Sequence, residues 1–319
     1  MISDPAAFDR YRHSPNHKTT LWRLFFGTGI VVLFWVVSTA IVLFGGTYAL
    51  FTWQASKGGA APAGGMQGFL ASHIGILSAL GSFAGIWIGL WIAMRWVHAE
   101  PLSALLGNSR RVCRPDFLKG LVAVLITSLI SEILLYLLEP GISRGTIRLS
   151  SWLLFLIPIV ALTFLQTSSE EVLFRGYLLR GLAYRYRSPF IWALLPGLLF
   201  TSLHWSTNSS AAINACVLAS IAAFALLLTL VVYATGNLGA ALGAHLGNNL
   251  TGFLLISHQA SYNSFALFTA TPLEGPGWTT TDAVLIAMIG IVSSLLTIVL
   301  LLHPRSLLKV AADTAEPAS

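Results

Sequence analysis

The chain has 319 residues, of which 55% are hydrophobic and only 9% are charged, and its mean hydropathy is +0.77. A soluble domain carries about 25% charged residues, so this chain cannot cover a water-facing surface of its size. The composition excludes intrinsic disorder, collagen and a disulfide scaffold. The 28 Gly and 10 Trp residues are typical of membrane helices. The sequence therefore predicts an all-α, polytopic membrane helix bundle.

Eight apolar segments divide the chain. A helix needs about 20 apolar residues to cross a hydrocarbon core of about 30 Å. The segments that satisfy this rule cover approximately residues 22–52, 67–96, 117–138, 151–184, 189–205, 211–234, 238–257 and 282–302. The fourth becomes amphipathic after Leu165, and its basic end at 175–187 predicts a hairpin that protrudes from the bilayer or lies along its interface. We therefore expect about eight transmembrane helices.

The net charge of +6 marks orientation rather than nucleic-acid binding, because the basic residues flank the apolar segments. Of the 18 Lys and Arg residues, all but Lys57, Arg144 and Arg148 fall on one side, which predicts that both termini are cytoplasmic. The first segment is too long for a cleaved signal peptide, and the short loops indicate the bacterial plasma membrane. We also expect a flexible linker at Lys57–Gly65 and a disordered tail at Ala311–Ser319.

Polar side chains inside the apolar segments are the informative ones, because burying them in a bilayer is costly unless they are paired or used. They are Glu132, Glu170, Glu171, Arg175, His204, His245, Asn248 and Asn249, with His73 as an isolated case. We assign Glu132 a structural role, either beside the histidines or protonated and bonded to nearby hydroxyls. His73 is assigned to packing.

Two adjacent carboxylates lie in the fourth segment. Glu171 and Arg175 have the i, i+4 spacing of a helix-stabilising ion pair, and such a pair is one sufficient explanation of those two residues. It leaves Glu170 facing elsewhere without a local partner. One neutralised and one free acid resemble a site in which the free acid moves protons.

His204 ends the fifth segment, and His245 and Asn249 project from one face of the seventh. The plainer interpretation of His204 is a hydrogen-bonded core histidine. The plainer interpretation of His245 and Asn249 is a hydrogen-bonded pair between packed helices, which glycines at four-residue spacing favour. Glu170 and His204 each lie 17 residues from the turn near Arg187, which is about 25 Å along the helix axes. We therefore expect the four polar groups to converge inside the membrane, nearer the cytoplasmic face.

A glutamate, two histidines and an asparagine in a partly dry cavity can activate water. Glu170 would act as general base, the histidines would orient the water or hold the substrate, and Asn249 would donate to the oxyanion. Glu170, His204 and His245 are also a set of ligands for one zinc ion. Because the HExxH signature of zinc proteases is missing, we favour glutamate-activated water and keep the metal as an alternative.

Three motifs carry a family resemblance: EExxxR at 170–175, FxxxH at 200–204 and HxxxN at 245–249. In this order within hydrophobic helices, they resemble those of the CPBP intramembrane proteases. This family includes the type II CAAX prenyl endopeptidase and bacterial bacteriocin-processing and immunity proteins. The resemblance covers about residues 150–257. It implies a catalytic set with two supporting residues: Glu170, His204, His245 and Asn249, supported by Glu171 and Arg175.

The resemblance also divides the chain into 1–150, with the N-terminal segment and three helices, a catalytic core at 151–257, and 258–319, with an outer loop, the last helix and the tail. The implied function is hydrolysis of a peptide bond in a membrane protein or lipidated peptide, prenylated or not, by a glutamate-dependent or metal-dependent mechanism. The alternative is a non-proteolytic binding or bacteriocin-immunity protein that retains the site. A proton-coupled transporter is disfavoured because no helices are broken in two matching halves.

Overall fold

A computed structural model describes residues 4, 6–57, 65–138, 140–259, 262–272 and 278–314. The central part of the predicted linker, 58–64, and the end of the predicted tail, 315–319, lie outside the described residues. The same holds for 260–261 and 273–277 in the outer loop.

Helices make up most of the described chain, which confirms the predicted all-α class. They are α1 Ala6–Arg12, α2 Leu21–Ser56, α3 Gly65–Leu70, α4 His73–Ser82, α5 Ala84–Ile92, α6 Arg114–Leu138, α7 Leu149–Glu171, α8 Leu179–Arg185, α9 Leu195–Ser202, α10 Ala211–Thr235, α11 Gly239–Leu250 and α12 Thr280–Leu302. Shorter π and 3₁₀ turns extend or join them at Ala93–His98, Leu102–Leu105, Val172–Leu178, Phe190–Leu194 and Thr251–Leu255.

Six helices in the described chain are long and apolar enough to cross a membrane. They are Leu21–Ser56, His73–His98, Arg114–Leu138, Leu149–Arg185, Ala211–Thr235 and Thr280–Leu302. The expected count of eight is not confirmed, because the predicted segments 189–205 and 238–257 form shorter helices. The helix Phe190–Ser202 is only about 20 Å long at 1.5 Å per residue, which is less than the hydrocarbon core.

The end of the fourth segment is covered by other parts of the chain, although its basic, amphipathic composition is typical of a stretch exposed at an interface. Every residue from 172 to 183 is buried, packed against α1, α2 and α5. The basic side chains there are satisfied by the rest of the chain. Arg180 donates to the backbone carbonyls of Tyr11 and His13 and pairs with Glu100 at 2.9 Å. The N-terminal segment therefore covers a stretch whose composition alone indicated an interface with water.

The described part of the C-terminal tail is also ordered. The backbone amide of Ala311 donates to Asp116 at 3.2 Å. The carboxylate of Asp313 accepts hydrogen bonds from Ser109 at 2.8 Å and Asn237 at 2.7 Å. The prediction of disorder was therefore wrong for residues 311–314, which close the same end of the helix bundle as α1.

Glycines bring α11 close to α6. A Cβ at Gly243 would lie 1.9 Å from the carbonyl oxygen of Phe117. At Gly239 and Gly247 it would lie 2.6 and 3.0 Å from carbonyl oxygens one turn before and after, so all three glycines form the packing face expected from their spacing. His245 follows Gly243 by two residues, which is about 200° around the helix, and it therefore faces α7.

The opposite end of the bundle carries a small sheet. Its strands are β1 Ser143–Arg144, β2 Ile256–Ser257 and β3 Phe268–Thr269, in the order β1-β3-β2. Strand β3 is antiparallel to β1 and parallel to β2. His73 packs beside it, stacked on Phe155 with 5.4 Å between ring centroids, in agreement with the packing role assigned from the sequence.

Candidate active site

The candidate site lies where α7, α9 and α11 meet. The last turn of α7 carries Glu170 and Glu171, α11 carries His245, and His204 follows α9 directly. The ring of Phe200 on α9 is close to both imidazoles, with its centroid 4.9 Å from that of His204 and 5.8 Å from that of His245.

Glu171 is the buried anchor of the site. Its Oε1 accepts hydrogen bonds from Arg175 at 2.9 Å and from Nδ1 of His245 at 2.8 Å, and its side chain is fully buried. Arg175 is buried as well, donates to the carbonyl of Ala225 at 3.3 Å and lies 4.5 Å above the ring of Phe200. The i, i+4 ion pair predicted from the sequence is therefore present, and it also orients His245.

Glu170 faces the other nitrogen of the same imidazole. Its Oε2 lies 3.6 Å from Nε2 of His245 and accepts no hydrogen bond from a described residue. Oε2 of Glu171 also accepts no hydrogen bond from a described residue, and its side chain is fully buried, whereas 13% of the Glu170 side chain is exposed. Both unbonded oxygens are buried, and of the two acids only Glu170 has a side chain that is partly exposed.

Gln166 is a site residue that the sequence analysis did not identify. Its Nε2 donates to Oε1 of Glu170 at 2.8 Å, and its Oε1 accepts from Nδ2 of Asn249 at 2.9 Å. This contact brings Asn249 into the cluster, whereas Asn248 is exposed. The i, i+4 spacing from Gln166 to Glu170 could have indicated this contact. An uncharged amide is less costly in a bilayer than an acid, so Gln166 did not stand out in the sequence.

His204 lies beside this cluster rather than within its hydrogen bonds. Its Nδ1 lies 3.0 Å from the carbonyl oxygen of Phe200. Since a carbonyl can only accept, Nδ1 carries the proton and Nε2 is left as an acceptor. The residue is exposed, next to the exposed side chains of Leu203 and Trp205. The structure thus places His204 at the rim of the site, next to the Phe200 ring that also contacts His245.

The zinc alternative can be tested against the arrangement of the donors. Three ligands would have to surround one ion at about 2.0–2.2 Å. Among the described residues, no group of three or more His, Cys, Asp and Glu side chains is arranged to hold a metal ion. The set of Glu170, His204 and His245 therefore does not fit zinc in this arrangement, and we derive no step through a metal.

Glu132 does not belong to the site. Its Oε2 pairs with Nε2 of His258 at 2.9 Å, whereas the neighbouring Ser131 hydroxyl donates to the backbone of its own helix. Glu132 therefore pairs with neither of the partners expected from the sequence, which were the site histidines and the nearby hydroxyls. His258 also lines a separate cavity of about 160 Å³ between α6 and α12 that includes Trp278 and Asp282.

The fold and the cluster define a class of protein: a helical membrane protein with an acid–imidazole–amide site between apolar helices. Residues 150–251 match the model of a protein family described as type II CAAX prenyl endopeptidase Rce1-like. These residues are therefore similar to an Rce1-like domain, as the three motifs indicated, and this similarity points to a protease of the membrane.

A curated relative agrees with this family. Uncharacterized protein YyaK of Bacillus subtilis (strain 168) is 26% identical over 264 residues, which cover 80% of this chain and 85% of YyaK. No solved structure matches the chain significantly. Neither match supports bacteriocin immunity or a metalloprotease.

Proposed function

We propose that the protein is an intramembrane endopeptidase that hydrolyses a peptide bond of a membrane-associated substrate with a water molecule activated by Glu170. The observation that carries the proposal is the unbonded Oε2 of Glu170 facing Nε2 of His245 at 3.6 Å. Two groups at this separation can both contact one water molecule. The Rce1-like domain supplies the reaction class.

The hydrogen bonds around His245 suit this role. Glu171 can only accept when ionised, so Nδ1 of His245 carries a proton and Nε2 of the neutral ring is an acceptor. A water molecule that donates one proton to Nε2 and the other to Oε2 of Glu170 has its lone pairs directed away from both. The ion pair with Arg175 fixes the position of the Glu171 carboxylate, which thereby holds the ring in this orientation.

The chemical steps follow from these positions. The water oxygen attacks the carbonyl carbon of the scissile peptide bond while one water proton passes to Oε2 of Glu170. The resulting tetrahedral intermediate carries an oxyanion, to which Asn249 donates a hydrogen bond. Glu170 then returns the proton to the amide nitrogen, the C–N bond breaks, and an amine and a carboxylic acid leave.

The substrate approaches at the rim, where His204 is exposed among apolar side chains. Nε2 of His204 can accept a hydrogen bond from the substrate backbone, and Leu203 and Trp205 offer surface to lipid or to a lipid-modified chain. A prenylated peptide in the bacterial plasma membrane, cleaved near the cytoplasmic face with both protein termini on that side, is the finer form of the proposal. The Rce1-like domain and the distribution of Lys and Arg support it.

The experiment compares the wild type with Glu170→Gln, purified in detergent, on a panel of membrane and prenylated peptides. Glu132→Gln is the matched control, because it removes a carboxylate from an apolar helix outside the cluster. We expect Glu170→Gln to lose cleavage and Glu132→Gln to retain it, with metal content measured on the same samples. Full cleavage by Glu170→Gln would refute the mechanism. A folded wild type that cleaves no peptide would favour the non-proteolytic binding alternative.

A further inference from the structure

Gln166 connects the two helices that carry the candidate site. It lies on α7, one turn before Glu170, and only 9% of the residue is exposed. Its side chain spans the gap to α11, with Nε2 donating to Glu170 at 2.8 Å and Oε1 accepting from Asn249 at 2.9 Å. Both ends of this one amide are therefore engaged by residues of the proposed reaction.

The chemistry of the three groups determines which end faces which partner. An ionised carboxylate only accepts hydrogen bonds, so the donating NH₂ end of Gln166 must face Glu170. The accepting oxygen of Gln166 then faces α11, and it requires a donor there. Asn249 must consequently direct its own NH₂ group towards Gln166, because the reversed amide would oppose two oxygens. One charged residue thus sets the orientation of two amides.

This orientation assigns different tasks to the atoms of the site. Oε1 of Glu170 is held by Gln166, which leaves Oε2 to receive the proton from water. Nδ2 of Asn249 uses one proton for Gln166 and keeps a second for the oxyanion. If Asn249 turned freely, its Oδ1 could face the developing negative charge and repel it.

We infer that Gln166 is a positioning residue, which fixes the general base Glu170 and the oxyanion donor Asn249 in their reactive orientations through one amide. The inference rests on the proposed function. It assigns Gln166 no contact with the substrate, so its loss acts on the chemical step rather than on substrate binding.

The first test is Gln166→Met, which keeps a long unbranched side chain but has neither the donor nor the acceptor. We expect kcat to fall about 100-fold, the size of effect that follows from misplacing a reacting group by about 1 Å, and KM to stay within about threefold. Thr167→Val is the matched control, since Thr167 is also buried in α7, and its hydrogen bonds within the described residues go to carbonyls of its own helix. It should retain wild-type kcat.

Two further variants separate positioning from folding. In Gln166→Glu a second carboxyl group faces Glu170, and the two groups either repel each other as anions or share one proton, so we expect the variant to lose kcat although the length of the side chain is unchanged. In the double variant Gln166→Met with Asn249→Ala, the losses should not multiply, because Gln166 acts partly through Asn249. A purely structural residue would lower the yield of folded protein and leave kcat per folded molecule unchanged.

The outcomes distinguish this inference from the proposed function. If Glu170→Gln abolishes cleavage but Gln166→Met keeps kcat within twofold, or its loss multiplies with that of Asn249→Ala, the inference fails alone. If Glu170→Gln retains cleavage, or the folded wild type cleaves none of the panel, the proposed function fails and the inference fails with it.

Discussion

Arg175→Met tests whether the buried ion pair holds the site together. Arg175 is 1% exposed and makes three contacts that Met cannot replace. It donates to Glu171 at 2.9 Å and to the carbonyl of Ala225 at 3.3 Å, and its guanidinium lies 4.5 Å above the ring of Phe200. The substitution leaves Glu171 as a buried carboxylate with His245 as its remaining hydrogen-bond donor among the described residues.

The expected loss of stability follows from these contacts. A hydrogen bond to a charged group contributes about 1.5–3 kcal/mol, and a hydrogen bond to a neutral acceptor contributes about 1 kcal/mol. A desolvated cation–π contact contributes about 2 kcal/mol. These contributions are not additive, because one guanidinium group makes all three contacts, and removing one partner of a buried ion pair costs about 3–5 kcal/mol in total. We therefore expect Arg175→Met to lower the free energy of unfolding by about 4 kcal/mol.

Thermal unfolding in detergent measures this effect. For a chain of this length, about 2 °C per kcal/mol predicts a decrease in Tm of about 8 °C. Arg185→Met is the control, because Arg185 is exposed at the end of α8, and its Tm should not change. Combining Arg175→Met with Glu171→Gln should recover part of the loss, since no uncompensated charge remains. A Tm for Arg175→Met within 2 °C of the wild type would refute the reasoning.

Two further predictions concern the supports of the site. Gly243→Leu should prevent stable folding, because its Cβ would lie 1.9 Å from the carbonyl oxygen of Phe117. Gly252→Leu should unfold like the wild type, because within the described residues a Cβ there would meet no atom within 4 Å beyond its own helix. Tyr11→Phe should remove a pH dependence of stability. Burial raises the pKa of Tyr11 in the folded protein well above its ordinary value of about 10. Above pH 10 this phenol therefore ionises only in the unfolded chain, and the wild type loses stability as the pH rises. Unfolding at pH 8 and pH 11 measures both, and equal pH slopes for wild type and Tyr11→Phe would contradict the second.

The acids and the imidazole of the candidate site could be singled out from the sequence because a charge inside an apolar helix is conspicuous. Glu171 and Arg175 could be paired from their spacing alone, since both lie on one helix. The contact of His245 with Glu171 joins residues 74 positions apart and required the packing of α11 on α7. Gln166 was not predicted because it is uncharged: a neutral amide in an apolar segment is typical of ordinary helix packing, and its two partners are apparent only in the structure.

Composition failed where a polar group is satisfied by distant backbone. The basic stretch that contains Arg180 resembles a surface helix, because guanidinium groups are normally hydrated. In the structure the carbonyls of Tyr11 and His13 take the place of water, and Glu100 supplies the counter-charge. Those partners are 80 to 169 residues away in sequence, so no local pattern could indicate them.

The same contacts show that the Rce1-like region depends on the rest of the chain. Arg180 lies within the matched residues 150–251, and its partners lie outside them. Tyr11 donates to the backbone carbonyl of Arg175, the residue that orients Glu171, and Gly243 packs on Phe117 of α6. Removing the first 149 residues would expose a buried Arg and leave the glycine face of α11 without its neighbour. The acids and the imidazole come from the matched region, but the contacts that hold their helices in place also come from residues before position 150. The site geometry is therefore a property of the full chain.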